Sequence, residues 1–489
     1  MSIQIRHLTA LAAAFALATL AACGQVEDGR VVGQEFGAMP GTTDPQKLSA
    51  VLASPSNLET TRLAAEQSLL NLGPSAKLAR DTALCSILIN PFDSDTMRTH
   101  AADQWPQMSP VMQFTAAMAL PRLKGAVLEH ACRAAERIGD KYLLPYLAAA
   151  MDSQEGDPRS SPAWTAAEKI AGEPAEQLLW EIMIRQSKQG DLAGGRRAAL
   201  NVLQRIRPTG QLLSEIAALK DPDAWLATVQ WWAANFDSLP TGAQEHAWIA
   251  TLREPAHAEL LQQARQIHAL LRNQPDYLAA PRFVALLAAT DPATAKTSRE
   301  NLIAELTTGP LALSRWKHIK RPPSSPGAID DVDNRLTPNL PKLSRADLLT
   351  LHFLATSLDS PNFLKQCEKD GLADLADTKT EHGGLLRHTP AGLELHDYPP
   401  IYPAGDTEYV ASDALLHDAP LGIALYHFHF QQTRNEDFAG PGTGDMDFAE
   451  NSRVNCLVIT SIDKHQLDFQ YYTPAGAVVD LGVRTTPNQ

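Results

Sequence analysis

The chain has 489 residues, which is too long for one ordinary hydrophobic core, so two or three folded units are expected. Apolar residues make up 44% of the sequence and charged residues 20%, a globular composition that argues against a disordered chain. The formal net charge is −14, from 56 acidic and 42 basic residues. This excess of negative charge argues against nucleic acid and anionic lipid surfaces as partners.

The N-terminal segment has the features of a targeting signal. Arg6 precedes the apolar stretch Leu8–Thr19, which is too short to span a bilayer comfortably, and Leu20–Ala22 lead to Cys23. This order resembles a bacterial lipoprotein signal peptide over residues 1–22. The resemblance implies acyl chains on Cys23, which would hold the protein on a lipid bilayer without a membrane-spanning helix.

The residues after the cysteine bear on location and on how the folded part is attached. Gly24 stands where an aspartate is associated with retention in the inner membrane, so we expect the cell envelope, at the outer membrane and facing the periplasm. Residues 23–46 are rich in Gly, Asp, Thr and Gln and have no apolar periodicity. They predict a flexible tether.

Residues 47–313 are rich in alanine and leucine at helical spacing, which predicts an all-α region. Within it an alanine pair, usually followed by an acid, recurs with starts at 64, 101, 134, 166 and 198, that is, at intervals of 37, 33, 32 and 32 residues. Such a period indicates stacked helix pairs. The pattern resembles HEAT-like repeats over roughly residues 55 to 240, and the resemblance implies an α-solenoid that binds a protein or peptide partner.

The middle of the chain predicts a boundary. Residues 314–342 contain five prolines, which prevent regular structure, so they are interpreted as a linker. The acidic cluster within Asp330–Asp333 lacks the glycine turn and closing glutamate of a calcium loop and is interpreted as solvated. Residues 343–374 predict a helical connector whose first helix begins at a capping box, Ser344–Asp347.

Four cysteines follow the lipidation candidate, and an oxidising periplasm would permit two disulfides among them. Position along the chain favours pairing Cys85 with Cys132 and Cys367 with Cys456. Buried free thiols are the alternative, because each cysteine lies in an apolar context. No CxxC spacing supports a zinc ribbon or a thioredoxin-like site.

Residues 375–489 predict an α/β or α+β domain, because glycine, proline, β-branched and aromatic residues replace the helical pattern. The predicted strands are Gly383–Leu386, Leu421–Phe430, Val454–Thr460, Leu467–Thr473 and Val478–Gly482. The second of these begins as a nearly continuous apolar run, which is typical of a central strand buried on both faces.

The candidate site lies at the carboxyl end of that central strand. His427 and His429 are two positions apart, so both side chains point to the same face of the sheet. Glu381 precedes them in the chain and Asp445 follows them in a glycine-rich loop. Two imidazoles and one carboxylate would leave the fourth position of a tetrahedral zinc open, as in catalytic rather than structural zinc sites.

The ordered set of Glu381, His427, His429 and Asp445 resembles the pattern of the JAMM metallopeptidases, also called JAB/MPN domains, over about residues 375 to 485. The resemblance implies that the two histidines and the aspartate bind zinc. It also implies that the glutamate is the general base of a hydrolase acting on an amide, peptide or isopeptide bond.

Three departures from the family pattern support a second hypothesis. Phe430 replaces a proline, Gly442 replaces the serine that helps to hold the oxyanion, and residues 430–444 form a longer loop than usual. Thr443 is the auxiliary candidate beside the missing serine. The second hypothesis is a non-catalytic repeat scaffold or binding lipoprotein whose C-terminal domain is inactive or holds a structural zinc.

Individual residues also have other interpretations. Glu381 could simply cap the strand that follows it, and Asp445 could be a turn residue or the N-cap of a helix. Asp447 could be the metal ligand in place of Asp445.

Overall fold

The computed structural model describes residues 42–185, 194–274, 276–322, 324–325, 327–329 and 333–487. These described residues divide into two compact units, the first ending at Pro208 and the second beginning at Thr209. The predicted signal peptide, Cys23 and the tether up to residue 41 lie outside the described residues. Among the residues that are described, no helix combines the length and the apolar character needed to cross a membrane.

The described part of the first unit is helical. Its helices are α1 (Pro45–Ala53), α2 (Glu59–Asn71), α3 (Lys77–Ile89), α4 (Asp95–Gln104), α5 (Pro110–Ala117), α6 (Gly125–Ile138), α7 (Leu144–Asp152), α8 (Pro162–Ala171), α9 (Ala175–Ile184) and α10 (Gly195–Ile206). Because α1 begins at Pro45, the last residues of the predicted tether already belong to the folded part. The recurring alanine pairs lie on α2, α4, α6, α8 and α10, that is, on every second helix. This placement confirms the helical region, while the HEAT-like assignment remains a prediction.

The end of α6 shows how the local sequence sets a helix boundary. Gly139 caps the helix with φ 66°, a left-handed conformation that glycine adopts without a steric penalty. Asp140 then accepts a hydrogen bond from Tyr142 N at 3.0 Å and starts the turn that leads into α7. This helix, turn and helix arrangement is the one that the sequence predicts for residues 131–151.

The second unit begins with helices and ends with a sheet. Its helices are α11 (Thr209–Ala217), α12 (Ala224–Phe236), α13 (Ala243–Leu252), α14 (Ala258–Leu271), α15 (Val284–Ala289), α16 (Pro292–Lys296), α17 (Arg299–Thr307), α18 (Leu336–Asn339), α19 (Arg345–Ser357), α20 (Pro361–Ala376), α21 (Asp413–Asp418) and α22 (Thr443–Ser452). Its strands are β1 (Gly383–Thr389), β2 (Gly392–Tyr398), β3 (Ala424–His429), β4 (Cys456–Asp463), β5 (Gln466–Tyr472) and β6 (Val478–Thr485).

The six strands form one mixed sheet in the order β2-β1-β3-β4-β5-β6. Only β3 and β4 are parallel neighbours, and α22 lies between them in the chain. The five predicted strands are all present, with boundaries shifted by a few residues, and β2 is the strand that the sequence analysis missed. A helical region followed by a mixed α/β region is therefore the observed architecture.

Both faces of the sheet are covered by helices, as the apolar run in β3 predicts. Leu425, Cys456 and Val458 belong to a core that also contains Trp248 of α13 and Ala449 of α22. The alternate residues of β3 and β4 belong to a second core, to which α19 and α20 contribute. Since side chains alternate along a strand, His427 and His429 share the face of Leu425.

The four predicted disulfide cysteines are all free and buried, so the disulfide prediction is wrong and the alternative of buried thiols holds. Cys367 and Cys456 belong to different cores on opposite faces of the sheet, which separates them. In the first unit, Cys85 lies on α3 and its thiol is directed at Met112 O, while Cys132 lies on α6.

The division of the chain differs from the predicted one at two places. The helices from α11 onward belong to the compact unit of the sheet, so the predicted helical region 47–313 spans both units. The described part of the predicted linker 314–342 lies along β6, where Val483 N donates to Lys317 O at 2.9 Å and Ile319 N donates to Asp480 at 3.2 Å. Of the predicted acidic cluster, residues 330–332 lie outside the described residues.

Candidate metal centre

The pairing of β1 with β3 brings a glutamate next to the two histidines. Gly383 of β1 lies opposite His427 of β3. Because these strands are antiparallel, the chain that precedes Gly383 runs past the carboxyl end of β3. Glu381 is therefore adjacent to His429, with 3.9 Å between Glu381 Oε1 and His429 Nε2.

Asp445 reaches the same place from the other side. It is the third residue of α22, and its Oδ2 accepts a hydrogen bond from Gly442 N at 2.7 Å. Its Oδ1 lies 3.3 Å from His427 Nε2 and its Oδ2 lies 3.8 Å from His429 Nε2. Asp445 thus both caps its helix and contacts the histidines, whereas Asp447 is exposed.

The donor atoms have the spacing that a metal ion requires. The two Nε2 atoms of His427 and His429 are 3.1 Å apart, and their distances to Asp445 are 3.3 and 3.8 Å. Bonds of about 2.0–2.2 Å in a tetrahedral zinc site place neighbouring ligand atoms roughly 3.3–3.6 Å apart. The three predicted ligands can therefore share one centre with small adjustments.

A second, overlapping set of donors also fits a metal ion. Ligand atoms of Glu381, His427 and His429 lie within 4.8 Å of one another, and all three side chains are buried. Glu381 is thus close enough to bind a metal ion directly as well as to act beside one. The geometry brings all four predicted site residues together, and it leaves two possible roles for the glutamate.

Hydrogen bonds from the long loop hold two of these residues in place. His429 Nδ1 lies 2.6 Å from Phe438 O, a carbonyl that can only accept, so Nδ1 carries the proton and Nε2 presents its lone pair to the centre. Gln431 Nε2 donates to Glu381 Oε1 at 2.5 Å, and Asn435 donates to the Gln431 amide oxygen. The long loop of residues 430–444 therefore supplies the groups that hold His429 and Glu381 in place.

Thr443, the predicted auxiliary residue, does not contact the centre. It is exposed, and both its backbone N and its Oγ1 are directed at Gly327 O, at 3.1 and 3.5 Å. Thr443 is the first residue of α22. The proposed substitution of Thr443 for the missing serine is not supported by these contacts.

The electrostatics of the group favour a positive charge at its centre. Burial disfavours protonated His427, but Asp445, with Glu381 and Asp374, outweighs burial and raises the pKa of His427 to about 9. Burial likewise acts to raise the pKa of Asp445, but His427 holds that pKa well below its usual range. Asp445 therefore remains ionised at neutral pH.

The pKa values of Glu381 and His429 are shifted in opposite directions. Burial, opposed in part by His427, raises the pKa of Glu381 to about 8. Burial and the charge of His427 lower the pKa of His429 to about 4, so His429 stays neutral. A buried carboxyl group with its pKa near neutrality and a neutral imidazole are typical of functional sites.

Gln431, Phe438 and Arg321 are parts of this region that the sequence analysis missed. Phe438 acts through its backbone carbonyl, which leaves no signal in the side-chain pattern. Gln431 lies two residues after His429. Its position in the unusually long loop was the one feature of the sequence that could have indicated its role.

Comparison with models of known protein families, with curated proteins and with solved structures found no match to this chain. The resemblance to the JAMM metallopeptidases therefore rests on four residues and on their order in the sequence. What the structure adds is their meeting in space: the C-terminal sheet holds a buried Glu/His/His group, with an aspartate beside it, that could bind a metal ion.

Proposed function

We propose that the second unit is a zinc-dependent hydrolase of the JAMM type, which cleaves an amide, peptide or isopeptide bond. The observation that carries this proposal is the convergence of Glu381, His427, His429 and Asp445 from three separate segments. The two histidine nitrogens are 3.1 Å apart, and three contacts between these nitrogens and the carboxylate oxygens measure 3.3 to 3.9 Å. Two nitrogen donors and one oxygen donor at tetrahedral spacing suit zinc among the common divalent metals.

His427, His429 and Asp445 would hold the metal ion, and Phe438 O would keep His429 in the required tautomer. When bound, zinc supplies Lewis-acid polarisation of the scissile carbonyl and lowers the pKa of water at the site. The ionised Asp445 balances part of the positive charge.

Glu381 would move the proton. Its carboxyl group is buried, its pKa is raised to about 8, and Gln431 holds Oε1 at 2.5 Å. A carboxyl group with its pKa near the working pH can take a proton from the attacking water and return it to the leaving amine. The position of Glu381, 3.9 Å from His429 Nε2, suits this transfer beside the metal.

The N-terminal features complete the proposal. The lipoprotein-like segment with Cys23 would anchor the protein to a lipid bilayer of the cell envelope, most simply the outer membrane facing the periplasm. The helical first unit would bind a protein or peptide partner and present it for cleavage. Both statements rest on sequence patterns alone.

A second candidate function is non-catalytic metal or ligand binding. It is favoured by the closeness of Glu381 to both histidines, which would permit a closed site with four protein ligands. The exposed Thr443 and the absence of a side chain at Gly442 point the same way, because neither supplies a donor to a reacting group.

The substitution Glu381→Gln separates the two functions. Zinc content is measured on purified protein, and hydrolysis is measured with labelled casein and with lysine-ε-linked isopeptides. If Glu381 is the base, the variant retains zinc and hydrolysis falls by about 10²-fold or more. The matched control is Glu394→Gln, the same change at an exposed position of β2, and it should alter neither property.

Each other outcome contradicts a stated part of the proposal. Full hydrolysis by Glu381→Gln would exclude its role as base. Loss of zinc from this variant would make Glu381 a ligand and favour the binding function. Wild-type protein that takes up no zinc would exclude the metal centre itself.

A further inference from the structure

Glu381 lies at the edge of the candidate metal centre, where it could act either as a ligand or as a base. Its Oε1 is 3.9 Å from His429 Nε2, whereas Asp445 Oδ1 is 3.3 Å from His427 Nε2. Ligand atoms on one tetrahedral zinc ion lie roughly 3.3–3.6 Å apart. A small shift towards His429 would therefore bring Glu381 to ligand distance.

Gln431 holds the oxygen that would make this shift. Its Nε2 donates a hydrogen bond of 2.5 Å to Glu381 Oε1, and Oε1 is the carboxylate atom that faces His429 Nε2. A hydrogen bond to an ionised carboxylate is stronger than one between neutral groups. Because it withdraws electron density from Oε1, it makes this oxygen a weaker metal ligand. The amide thus occupies the atom with which Glu381 would reach the metal.

Asn435 fixes the orientation of the Gln431 amide. Asn435 Nδ2 donates to Gln431 Oε1, so this oxygen is already engaged as an acceptor. The Nε2 of Gln431 therefore faces Glu381, whose ionised carboxylate can only accept. Gln431 cannot exchange its two amide atoms without losing both hydrogen bonds.

The turn that contains Asn435 is attached to the sheet. Asn435 is fully buried, and its backbone N donates to Ser461 O of β4 at 2.9 Å. Ser461 Oγ donates to Thr433 O at 2.7 Å. Phe438 N donates to Asn435 O at 2.9 Å, and Phe438 O accepts from His429 Nδ1. One anchored turn therefore orients both a metal-binding histidine and the amide that holds Glu381.

We infer that Gln431 is a positioning residue that keeps Glu381 off the metal and so leaves the fourth ligand position open. The inference rests on the proposed function, since it requires a metal at the centre. It deepens that function by giving the reason why Glu381 serves as the base although it lies within reach of the metal. An open position is what separates a catalytic zinc site from a closed structural one.

The test uses the full chain loaded with Co²⁺ in place of zinc, because the visible spectrum of Co²⁺ reports the number and type of its ligands. Thiocyanate is the probe for an open position, since it binds directly to the metal and changes this spectrum. The variant is Gln431→Met, which keeps the length of the side chain and removes its hydrogen-bond donors. The matched control is Gln432→Met, the same change at the exposed neighbouring residue.

We expect the wild type and Gln432→Met to bind thiocyanate alike. In Gln431→Met, Glu381 is released to the metal, so thiocyanate binding should weaken about tenfold or more, the scale of one hydrogen bond to a charged group. Co²⁺ affinity should rise, because a fourth protein ligand is added. Loss of a merely structural contact would leave metal affinity unchanged or lower it, so the rise identifies the positioning of Glu381.

A double variant, Gln431→Met with Glu381→Gln, shows whether Glu381 is the group that closes the site. Removal of the carboxylate should restore thiocyanate binding to the level of the wild type. Binding that stays weak in the double variant would mean that another group closes the site, which contradicts the inference.

Three other results would overturn the inference and leave the metal centre in place. Gln431→Met could bind thiocyanate as tightly as Gln432→Met, which would exclude any restraint by the amide. Its Co²⁺ affinity could fall, which would show that Gln431 supports Glu381 as a ligand. The wild type could bind Co²⁺ but no thiocyanate, which would mean that the site is already closed.

The absence of any Co²⁺ spectrum in the wild type would instead overturn the proposed function, and this inference with it. If Gln431→Met does not fold, Gln431→Asn takes its place. This variant keeps the amide but shortens the side chain by one methylene group, so the same loss of thiocyanate binding is expected, and binding equal to that of Gln432→Met would overturn the inference.

Discussion

Each of the two units buries a group of charged side chains. The two groups differ in the residues that face the buried carboxylates. In the first unit, Arg62 forms a bidentate ion pair with Asp93, with contacts of 2.6 and 2.7 Å. Glu66 accepts from Arg80 at 3.0 Å and contacts His100 at 2.6 Å. These buried carboxylates face arginines that the chain itself supplies.

In the second unit, the acids of the candidate centre face imidazoles. Asp445 lies 3.3 Å from His427, and Glu381 lies 3.9 Å from His429. A guanidinium has only donors, so the arginine pairs of the first unit are complete in themselves. An imidazole without a proton on one nitrogen, as in His429, offers a lone pair, so the group in the second unit could hold a metal ion. The difference separates buried charges that are paired within the chain from a buried group that could hold a metal ion.

The largest effect on stability is expected from breaking the buried Arg62–Asp93 ion pair of the first unit. Arg62→Ala would leave Asp93 buried without its guanidinium, which costs about 3–5 kcal/mol. Chemical denaturation followed by fluorescence measures this loss. Arg335→Ala, at an exposed arginine, should change the free energy of unfolding by less than about 0.5 kcal/mol. A loss below about 1 kcal/mol for Arg62→Ala would show that the pair is not a structural element.

His427→Ala should disrupt the candidate metal centre of the second unit, and its main effect should be on zinc affinity. Substitution of a residue that only orients a metal ligand typically lowers metal affinity by about 10–100-fold. Removal of a direct ligand should therefore lower zinc affinity by more than about 100-fold. Competition with a chromophoric chelator measures the change. His130→Ala is the matched control, because His130 contacts Asp103 in the first unit. A loss of tenfold or less would exclude His427 as a ligand.

The smallest effect concerns a third acid, Asp480 of β6, which faces a histidine and is buried. His318 Nδ1 lies 3.1 Å from Asp480 Oδ2, and this hydrogen bond raises the pKa of His318 above 6.5. The stabilisation is fully present below the unfolded pKa and is lost as the pH rises through the folded pKa. Because His318 is about a third exposed, less than about 1 kcal/mol is expected.

Unfolding of wild type and His318→Gln at about pH 5.5 and pH 8.5 isolates this contribution, since other groups titrate alike in both proteins. The stability difference between the two proteins should be larger at the lower pH. A difference that is constant, or larger at the higher pH, would show that the pair has the opposite linkage or none. Such a result would make His318 resemble His429, the histidine of the candidate centre that stays neutral.

Features that depend on neighbours in the sequence could be predicted. Ser344 and Asp347 form the predicted capping box at the start of α19, and Gly139 ends α6 as its conformational freedom allows. The buried strand β3 was recognisable because both of its faces are covered, which requires a continuous apolar run. The strand β2 was missed because it is an edge strand with several half-exposed positions.

The residue types of the candidate site could be predicted from the sequence, but the residues that surround and position them could not. Glu381, His427, His429 and Asp445 follow a recognisable order. The β1–β3 register explains why Glu381 meets the histidines, whereas Asp445 comes from α22. The hydrogen bond from Gln431 and the position of Arg321 depend on the paths of loops, which have no periodicity to read.

The sequence by itself determined the chemistry that is available: two histidines on one strand face, acids before and after them, and helices at regular spacing. Only the tertiary structure decided which groups meet. It turned Thr443 towards Gly327 and placed Arg321 beside Gly442. It also set Cys367 and Cys456 on opposite faces of the sheet. The reason is physical: backbone periodicity fixes the direction of a side chain within its element, whereas distances between elements follow from packing across the whole core.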